Sequence, residues 1–201
     1  MEEITMIGVF YVHGFASGIN LAKLDNLRKT INDHNCSVIG LHYESNWDFD
    51  TIISSLIGQV NQYIDEFDEF VFIGTSLGGL FARELANHFH ERMIVINPVT
   101  DPYNQLRQFI GINKNYATNQ TFEFTEQLLS GYKNYTIKRG GLCLTYVSTQ
   151  DEVLTHNSDN VSINADLFGK IIYTTTKHQV NFDDLPNFHT EFHTLLNMIA
   201  G

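Results

Sequence analysis

Residues 70–80 read Phe-Val-Phe-Ile-Gly-Thr-Ser-Leu-Gly-Gly-Leu, and they constrain the fold more than any other stretch. Phe70, Val71, Phe72 and Ile73 are strand formers, while Phe81-Ala82-Arg83-Glu84-Leu85-Ala86 continues as a helix. Between them stands Gly74-Thr75-Ser76-Leu77-Gly78, a G-x-S-x-G pattern in a strand–turn–helix setting, which is the nucleophile elbow. Such a turn strains the backbone of Ser76 and lifts its hydroxyl above the sheet. Gly74 and Gly78 leave room where a side chain would collide within the turn. The helix starting after Ser76 aims unpaired N–H groups and a positive dipole end at the hydroxyl, which suits a developing oxyanion. The plainer reading is a glycine-rich turn that only packs; the flanking strand and helix patterns favour the reactive one.

The preceding and following segments supply a sheet for this turn. Residues 4–12 are β-branched and aromatic and run into the loop His13-Gly14-Phe15-Ala16-Ser17-Gly18. Leu21, Leu24, Leu27 and Ile31 recur at helical spacing behind Asn20, a capping residue. Residues 36–43 read as a second strand. Ile52, Ile53, Leu56, Ile57, Val60 and Ile64 predict a helix opening at Asp50 or Thr51. The elbow helix reaches about Phe89, and a strand over 93–96 ends at Asn97-Pro98. Short apolar runs alternating with amphipathic helices call for a parallel sheet covered on both faces. Ligands bind such sheets beyond the carboxyl ends of the strands, so the loops at His13, Ser76 and Asn97 are expected to cluster.

Residues 98–139 break the alternation. Short helices are expected at 103–110 and 124–131 around a polar, loop-like 111–121, with no strand. A long insertion at this edge reads equally as a cap over the site or as a packed excursion. Residues 141–148 resume the sheet, 157–164 suggest a short helix, and 168–175 give another strand. An amphipathic helix over 185–199 closes the chain, with Pro186 near its start. The expected fold is α/β, of the α/β-hydrolase type. It has a mostly parallel central sheet of about six to seven strands, helices on both faces and a small helical cap insertion after the fourth strand. No linker or repeat divides the chain, so 1–201 is expected to form a single domain with its insertion at about 98–139.

A serine hydroxyl is a weak nucleophile that needs a base, and the base needs an orienting acceptor. Behind this elbow the partners follow in the order serine, acid, histidine. Asp151 follows the strand at 141–148 and His178 follows the strand at 168–175, at the same edge as Ser76. Of the nine histidines, His13 precedes the serine and is assigned with Gly14 to loop support. His34, His42, His88 and His90 lie before the serine or at the wrong ends of elements. His156 is placed too near Asp151 to turn back onto it, and His189 and His193 fall within the last helix. Glu152 is expected to point away from Asp151, while Asp159 and Asp166 stand further from the strand end. The oxyanion donors are expected to be the backbone N–H groups of Phe15 and Leu77. The catalytic set is therefore Ser76, Asp151 and His178, forming an acyl-enzyme with no metal or organic cofactor.

Composition narrows the partners. The net charge of −11 leaves no basic patch for phosphates, which argues against nucleic acid, and it disfavours an anionic membrane surface. Cys36 and Cys143 form no Cys-x-x-Cys pair, so no zinc or redox signature is present. No run reaches the ~18 apolar residues of a membrane span. The apolar run at 6–12 follows Glu2 and Glu3 and reads as a strand rather than a signal peptide, so a cytoplasmic location is expected. The expected partner is a small acyl ester.

Several motifs together resemble one family. Tyr11-Val12-His13-Gly14-Phe15, Ile73-Gly74-Thr75-Ser76-Leu77-Gly78-Gly79, Asn97-Pro98-Val99, Pro102-Tyr103 with Leu106, Asn115-Tyr116, Phe124-Thr125 and Gln150-Asp151-Glu152-Val153-Leu154 span most of the chain. With His178, they resemble the small α/β-hydrolase-fold esterases of the YqiA/YcfP-like bacterial group. The resemblance implies hydrolysis of carboxylic esters with short acyl chains by Ser76, Asp151 and His178. Thr175-Thr176-Lys177 departs from the glycines and acidic residue that usually precede the family's histidine, and the loop after Phe15 also differs. The alternatives are a thioesterase with the same triad and a non-catalytic binding protein of this fold.

Overall fold

Both faces of every central strand are apolar, and this alone requires cover on two sides. The computed structural model describes residues 5–137, 141–156 and 169–198. Its strands are β1 (Ile7–Val12), β2 (Cys36–Leu41), β3 (Glu69–Thr75), β4 (Arg92–Ile96), β5 (Gly111–Lys114), β6 (Thr121–Phe124), β7 (Cys143–Ser148) and β8 (Lys170–Thr174). The helices are α1 (Leu21–Ile31), α2 (Phe49–Asn61), α3 (Leu77–Phe89), α4 (Pro102–Leu106), α5 (Glu126–Ser130) and α6 (Phe188–Leu196). Six strands form one sheet in the order β2-β1-β3-β4-β7-β8, and all neighbours are parallel.

Alternate residues of each strand enter different cores. Phe10 and Val12, Phe70 and Phe72, and Met93 and Val95 pack with Ile52, Leu56, Phe81 and Leu85 from α2 and α3. Their neighbours Val9 and Tyr11, Val71 and Ile73, and Ile94 and Ile96 pack on the other face with Leu24, Leu27, Phe188 and Phe192 from α1 and α6. At β1 the chain order reverses, with β2 on one side and β3 on the other. Such a switch point leaves a crevice at the carboxyl ends, here between the loop after Val12 and the turn after Thr75.

The first helix starts where expected, with the Asn20 side chain accepting from Lys23 N at 3.1 Å. The second starts earlier than expected. Asp48 caps it, accepting from Thr51 N at 2.9 Å, and it ends at Asn61, leaving Ile64 outside and exposed. Residues 111–121 are not the structureless loop expected: β5 and β6 pair antiparallel as a hairpin. Phe122 and Phe124 alternate with polar Thr121 and Glu123, a strand pattern only four residues long. α5 starts at Glu126 behind the Thr125 cap, two residues later than the expected segment. Leu106, Phe124, Leu129 and Tyr132 join the core over α2 and α3, so the insertion is anchored on the sheet's own apolar cluster. The short helix expected at 157–164 lies outside the described residues. A 3₁₀ turn (Phe182–Asp184) and Asn187 at φ 56° precede α6, which makes that helix shorter than the 185–199 expected.

The elbow depends on two glycines. A Cβ on Gly74 would stand 2.1 Å from Gly78 O, and one on Gly78 would stand 2.2 Å from Val12 O and 2.4 Å from His13 O. These are backbone atoms of α3, of the end of β1 and of the residue after it, and cannot swing aside. Gly78→Ala is expected to cost more than about 4 kcal/mol or to prevent folding. At Gly58, within α2, a Cβ meets nothing within 4 Å, so Gly58→Ala should gain about 0.5–1 kcal/mol. Urea midpoints of the two variants against the parent check both signs.

Candidate active site

Ser76 stands at the tip of β3 with φ 58° and ψ −125°, a conformation that L-residues rarely adopt. The surrounding backbone holds it there: Ser76 N donates to Ile96 O at 2.9 Å, and Ser76 O accepts from Gly79 N at 2.9 Å and Val99 N at 3.1 Å. Ser76 lines a cavity of about 280 Å³. The loop after β1, the start of α1, the insertion and the turns after β7 and β8 supply most of the rest of its wall.

His178 follows β8 and is buried. Three contacts fix it. Its Nδ1 meets Asp151 Oδ2 at 2.8 Å, its backbone N–H donates to the Glu152 carboxylate at 3.0 Å, and its carbonyl accepts from Asn97 Nδ2 at 3.1 Å. Asn97, at φ 44°, also accepts from Ser148 N at 2.7 Å and so joins the tips of β4, β7 and β8. The unusual Thr175-Thr176-Lys177 approach is held by a hydrogen bond from Ser148 Oγ to Thr176 O. The other imidazole nitrogen of His178 has no partner among the described residues. Both His178 and Ser76 line the cavity, without a direct hydrogen bond between them.

Asp151 is almost wholly enclosed, its side chain 2% exposed. Its Oδ1 accepts from Val153 N and Leu154 N, each at 2.8 Å. Its Oδ2 accepts from His178 Nδ1 and also from His156 Nε2, again at 2.8 Å. Burial pushes the carboxyl pKa up, but hydrogen bonds from His156, His178 and Leu154 together outweigh it and hold the group well below the ordinary carboxylate range. His156, expected to be too close in sequence to turn back, is therefore a direct partner, its side chain only 4% exposed. The Asx turn through Val153 and Leu154 reverses the chain and brings it round, a turn that Asp at its first position favours. Glu152, expected to point away from Asp151, accepts from the backbone N–H of the same His178 that Asp151 holds. That hydrogen bond is the main reason its pKa lies below the usual value.

The loop after β1 presses directly on Ser76: a Cβ on Gly14 would lie 3.3 Å from Ser76 Cβ and 3.8 Å from Ser76 Oγ. The N–H groups of Phe15 and Leu77 donate to no acceptor among the described residues. His13 braces this loop, stacking on Tyr43 with centroids 4.4 Å apart while Nδ1 meets Gly14 O at 2.9 Å. The carbonyl contact makes Nδ1 the donor, which leaves Nε2 to accept from Tyr43 N–H at 3.4 Å. Burial pulls the His13 pKa down to about 4, against weaker opposing hydrogen bonds to Gly14 and Tyr43 and with a further lowering from His42. Phe15 both lines the cavity and packs against Phe109, Phe122 and Phe124 of the insertion. Among the described residues no group of three His, Cys, Asp or Glu side chains is arranged to hold a metal ion, and no helix is long and apolar enough to cross a membrane.

A parallel sheet clothed on both faces, with a strained serine at the tip of a central strand, is the α/β-hydrolase fold. The chain belongs to the Uncharacterised protein family UPF0227, whose model matches residues 8–196; this is the YqiA/YcfP group that its motifs resemble. Among solved structures it is similar to Est1E from Butyrivibrio proteoclasticus, with a TM-score of 0.70 and 10% identity over 96% of this chain and 87% of that one. It is similar to the metagenome-derived lipolytic enzymes LipS and LipT, with a TM-score of 0.68 and 14% identity over 96% and 95% of the two chains. It also resembles mouse alpha/beta hydrolase domain-containing protein 10, with a TM-score of 0.64 and 14% identity over 94% and 88%. At these identities the likeness is one of fold.

Two predictions follow from the titrating groups. His13 is neutral in the fold, with a pKa of about 4 against 6.5 when unfolded. Its contribution to stability is thus full above pH 6.5 and is lost as pH falls through the window down to about 4. The loss is roughly 3 kcal/mol. His13→Gln should flatten urea stability between those pH values. His156→Leu should cost about 1.5–3 kcal/mol at pH 7, because it removes one donor from a buried carboxylate. The Asp151 contribution, present above its unfolded pKa, should then be lost at a higher pH on acidification than in the parent.

Proposed function

We propose that this protein is a serine hydrolase of carboxylic esters, working through an acyl-enzyme on Ser76. The observation that carries the reading is that Ser76, strained at the elbow, shares one cavity with His178, whose far nitrogen is bound to the buried Asp151. On this reading Ser76 Oγ attacks the acyl carbonyl while His178 Nε2 takes its proton. The tetrahedral oxyanion accepts from the N–H groups of Phe15 and Leu77. Collapse breaks the bond to the alcohol, which leaves with the proton from His178. Water, deprotonated by His178, attacks the acyl carbonyl, and the acid departs as Ser76 regains its proton. Asp151 holds the Nδ1–H tautomer and stabilises the imidazolium. The hydrogen bond between Ser76 and His178 would form with substrate bound, since such contacts tighten in the Michaelis complex.

The apolar wall made by Phe15, Val99, Leu106 and Leu154 suits a short acyl chain. The chain acts on this reading as one domain, with Val99, Leu106, Phe109 and Tyr116 of the insertion forming the roof of the cavity. A cytoplasmic location fits the two free cysteines. The likeness to lipolytic LipS and LipT agrees with ester chemistry while leaving the assignment to the site.

Ser76→Ala is expected to lower kcat for 4-nitrophenyl butyrate by at least about 10³-fold. A fluorophosphonate probe should label the parent and not the variant. Hydrolysis that persists at the parent's rate in Ser76→Ala, or no labelling of Ser76, would overturn the proposal.

A further inference from the structure

The charges on the cavity wall run against those of the chain. Acidic side chains outnumber basic ones 23 to 12, yet among the described residues the cavity is lined by Lys23 and Lys114 and by no Asp or Glu. The two lysines come from different elements, one from α1 and the other from the end of β5 in the insertion.

Lys23 is the better fixed of the pair. It is half-buried, and its ammonium lies 5.7 Å from the ring centroids of both Tyr11 and Phe182. Tyr11 in turn donates to Thr75 Oγ1 at 3.4 Å, next to the nucleophile in sequence. One aromatic side chain therefore separates the Lys23 ammonium from the elbow. The nearby acidic groups are engaged elsewhere, Asp183 accepting from Asn26 Nδ2 at 2.9 Å and Asp184 from Asn181 Nδ2 at 3.2 Å. Asp151, behind His178, has all four of its hydrogen bonds filled within the protein. Among the described residues no carboxylate pairs with either lysine. Asn20 and Gln179 add polar groups to the cavity wall, whereas Phe15, Val99 and Leu106 are apolar.

We infer that the cavity binds an ester carrying an anionic group, with the ester carbonyl at Ser76 and the anion held by Lys23, assisted by Lys114. The inference rests on the esterase reading and adds the charge of its substrate. Ammonium groups around a partly enclosed cavity focus field on an incoming anion, and the cation–π contacts hold Lys23 in place before it arrives. The anion can belong to the acyl part or to the alcohol, and the two sources are separable by substrate choice.

The test uses matched pairs. Mono-4-nitrophenyl glutarate against 4-nitrophenyl pentanoate places a carboxylate or a methyl at the end of the same acyl length. 4-Carboxyphenyl butyrate against phenyl butyrate does the same for the leaving group. In one pair the anionic ester should have kcat/KM about tenfold above its neutral partner at low salt, the size expected for a charged hydrogen bond. Added sodium chloride should erode that ratio. Lys23→Gln should bring the ratio close to one, and Lys23→Glu should invert it. Binding of the glutarate and pentanoate esters to Ser76→Ala, and of the two butyrates likewise, read by equilibrium dialysis, tests the anion site without hydrolysis. A chain that hydrolyses nothing but binds the anionic ester in preference would retain the site and lose the esterase reading. Neutral esters equal or better in both pairs, in turnover and in dialysis, would overturn the inference. So would a ratio unmoved by both Lys23 variants.

Discussion

Helix α3 meets the end of β1 backbone against backbone, and the functional edge of the molecule is built on that contact. The hydrogens of Gly78 face the carbonyls of Val12 and His13, at a separation that admits no further carbon. The same turn folds Gly74 against Gly78. Two consequences follow from this closeness. Ser76 is driven into a positive φ, and the loop after β1 is brought flush against it. Neither could be had with ordinary side chains at those positions, so the sheet's switch point and the strained serine are one piece of geometry.

The acidic end of the site is stabilised differently. Enclosing the Asp151 carboxylate is unfavourable, and four hydrogen bonds offset it: two from its own turn and two from histidines. The carboxylate thereby serves as a hub. It pins the turn after β7, receives His178 from the turn after β8 and takes His156 from its own side. Asn97 closes the arrangement from β4 by bonding to both Ser148 and His178. Three strand tips are tied together by side chains whose polar atoms are nearly all engaged, a well-satisfied buried network that fixes orientation.

The strands of the sheet were legible because each is a short apolar run bounded by polar or turn residues. The elbow was legible because its glycines have one spacing and one use. Less could be read where a signal was short or depended on a partner far away. The β5–β6 hairpin has four residues a side, and exposed Ile112 spoils the alternation of its first strand. Asp48 is followed closely by Asp50 and Thr51, which also suit a helix start, so local sequence does not single out the cap of α2. In the site, Ser76, Asp151 and His178 stand at strand tips that the pattern of elements placed on one edge. The contacts of His156, Glu152 and Asn97 were not readable. Each arises from a chain reversal or a left-handed residue, and a one-dimensional pattern carries little trace of either.

The insertion is sewn to the loop that follows β1. Tyr116 N donates to Ala16 O at 2.8 Å, Asn115 Nδ2 donates to Ser17 O at 3.1 Å, and Phe15 packs among Phe109, Phe122 and Phe124. Roof and floor of the cavity are thus a single mechanical unit. Grafting the roof of a relative onto this chain would tug on the backbone beside Ser76, so the segment 13–18 would have to travel with 98–137 as one cassette. Divergence within the family should carry the same imprint, with the two segments drifting in step although some eighty residues lie between them.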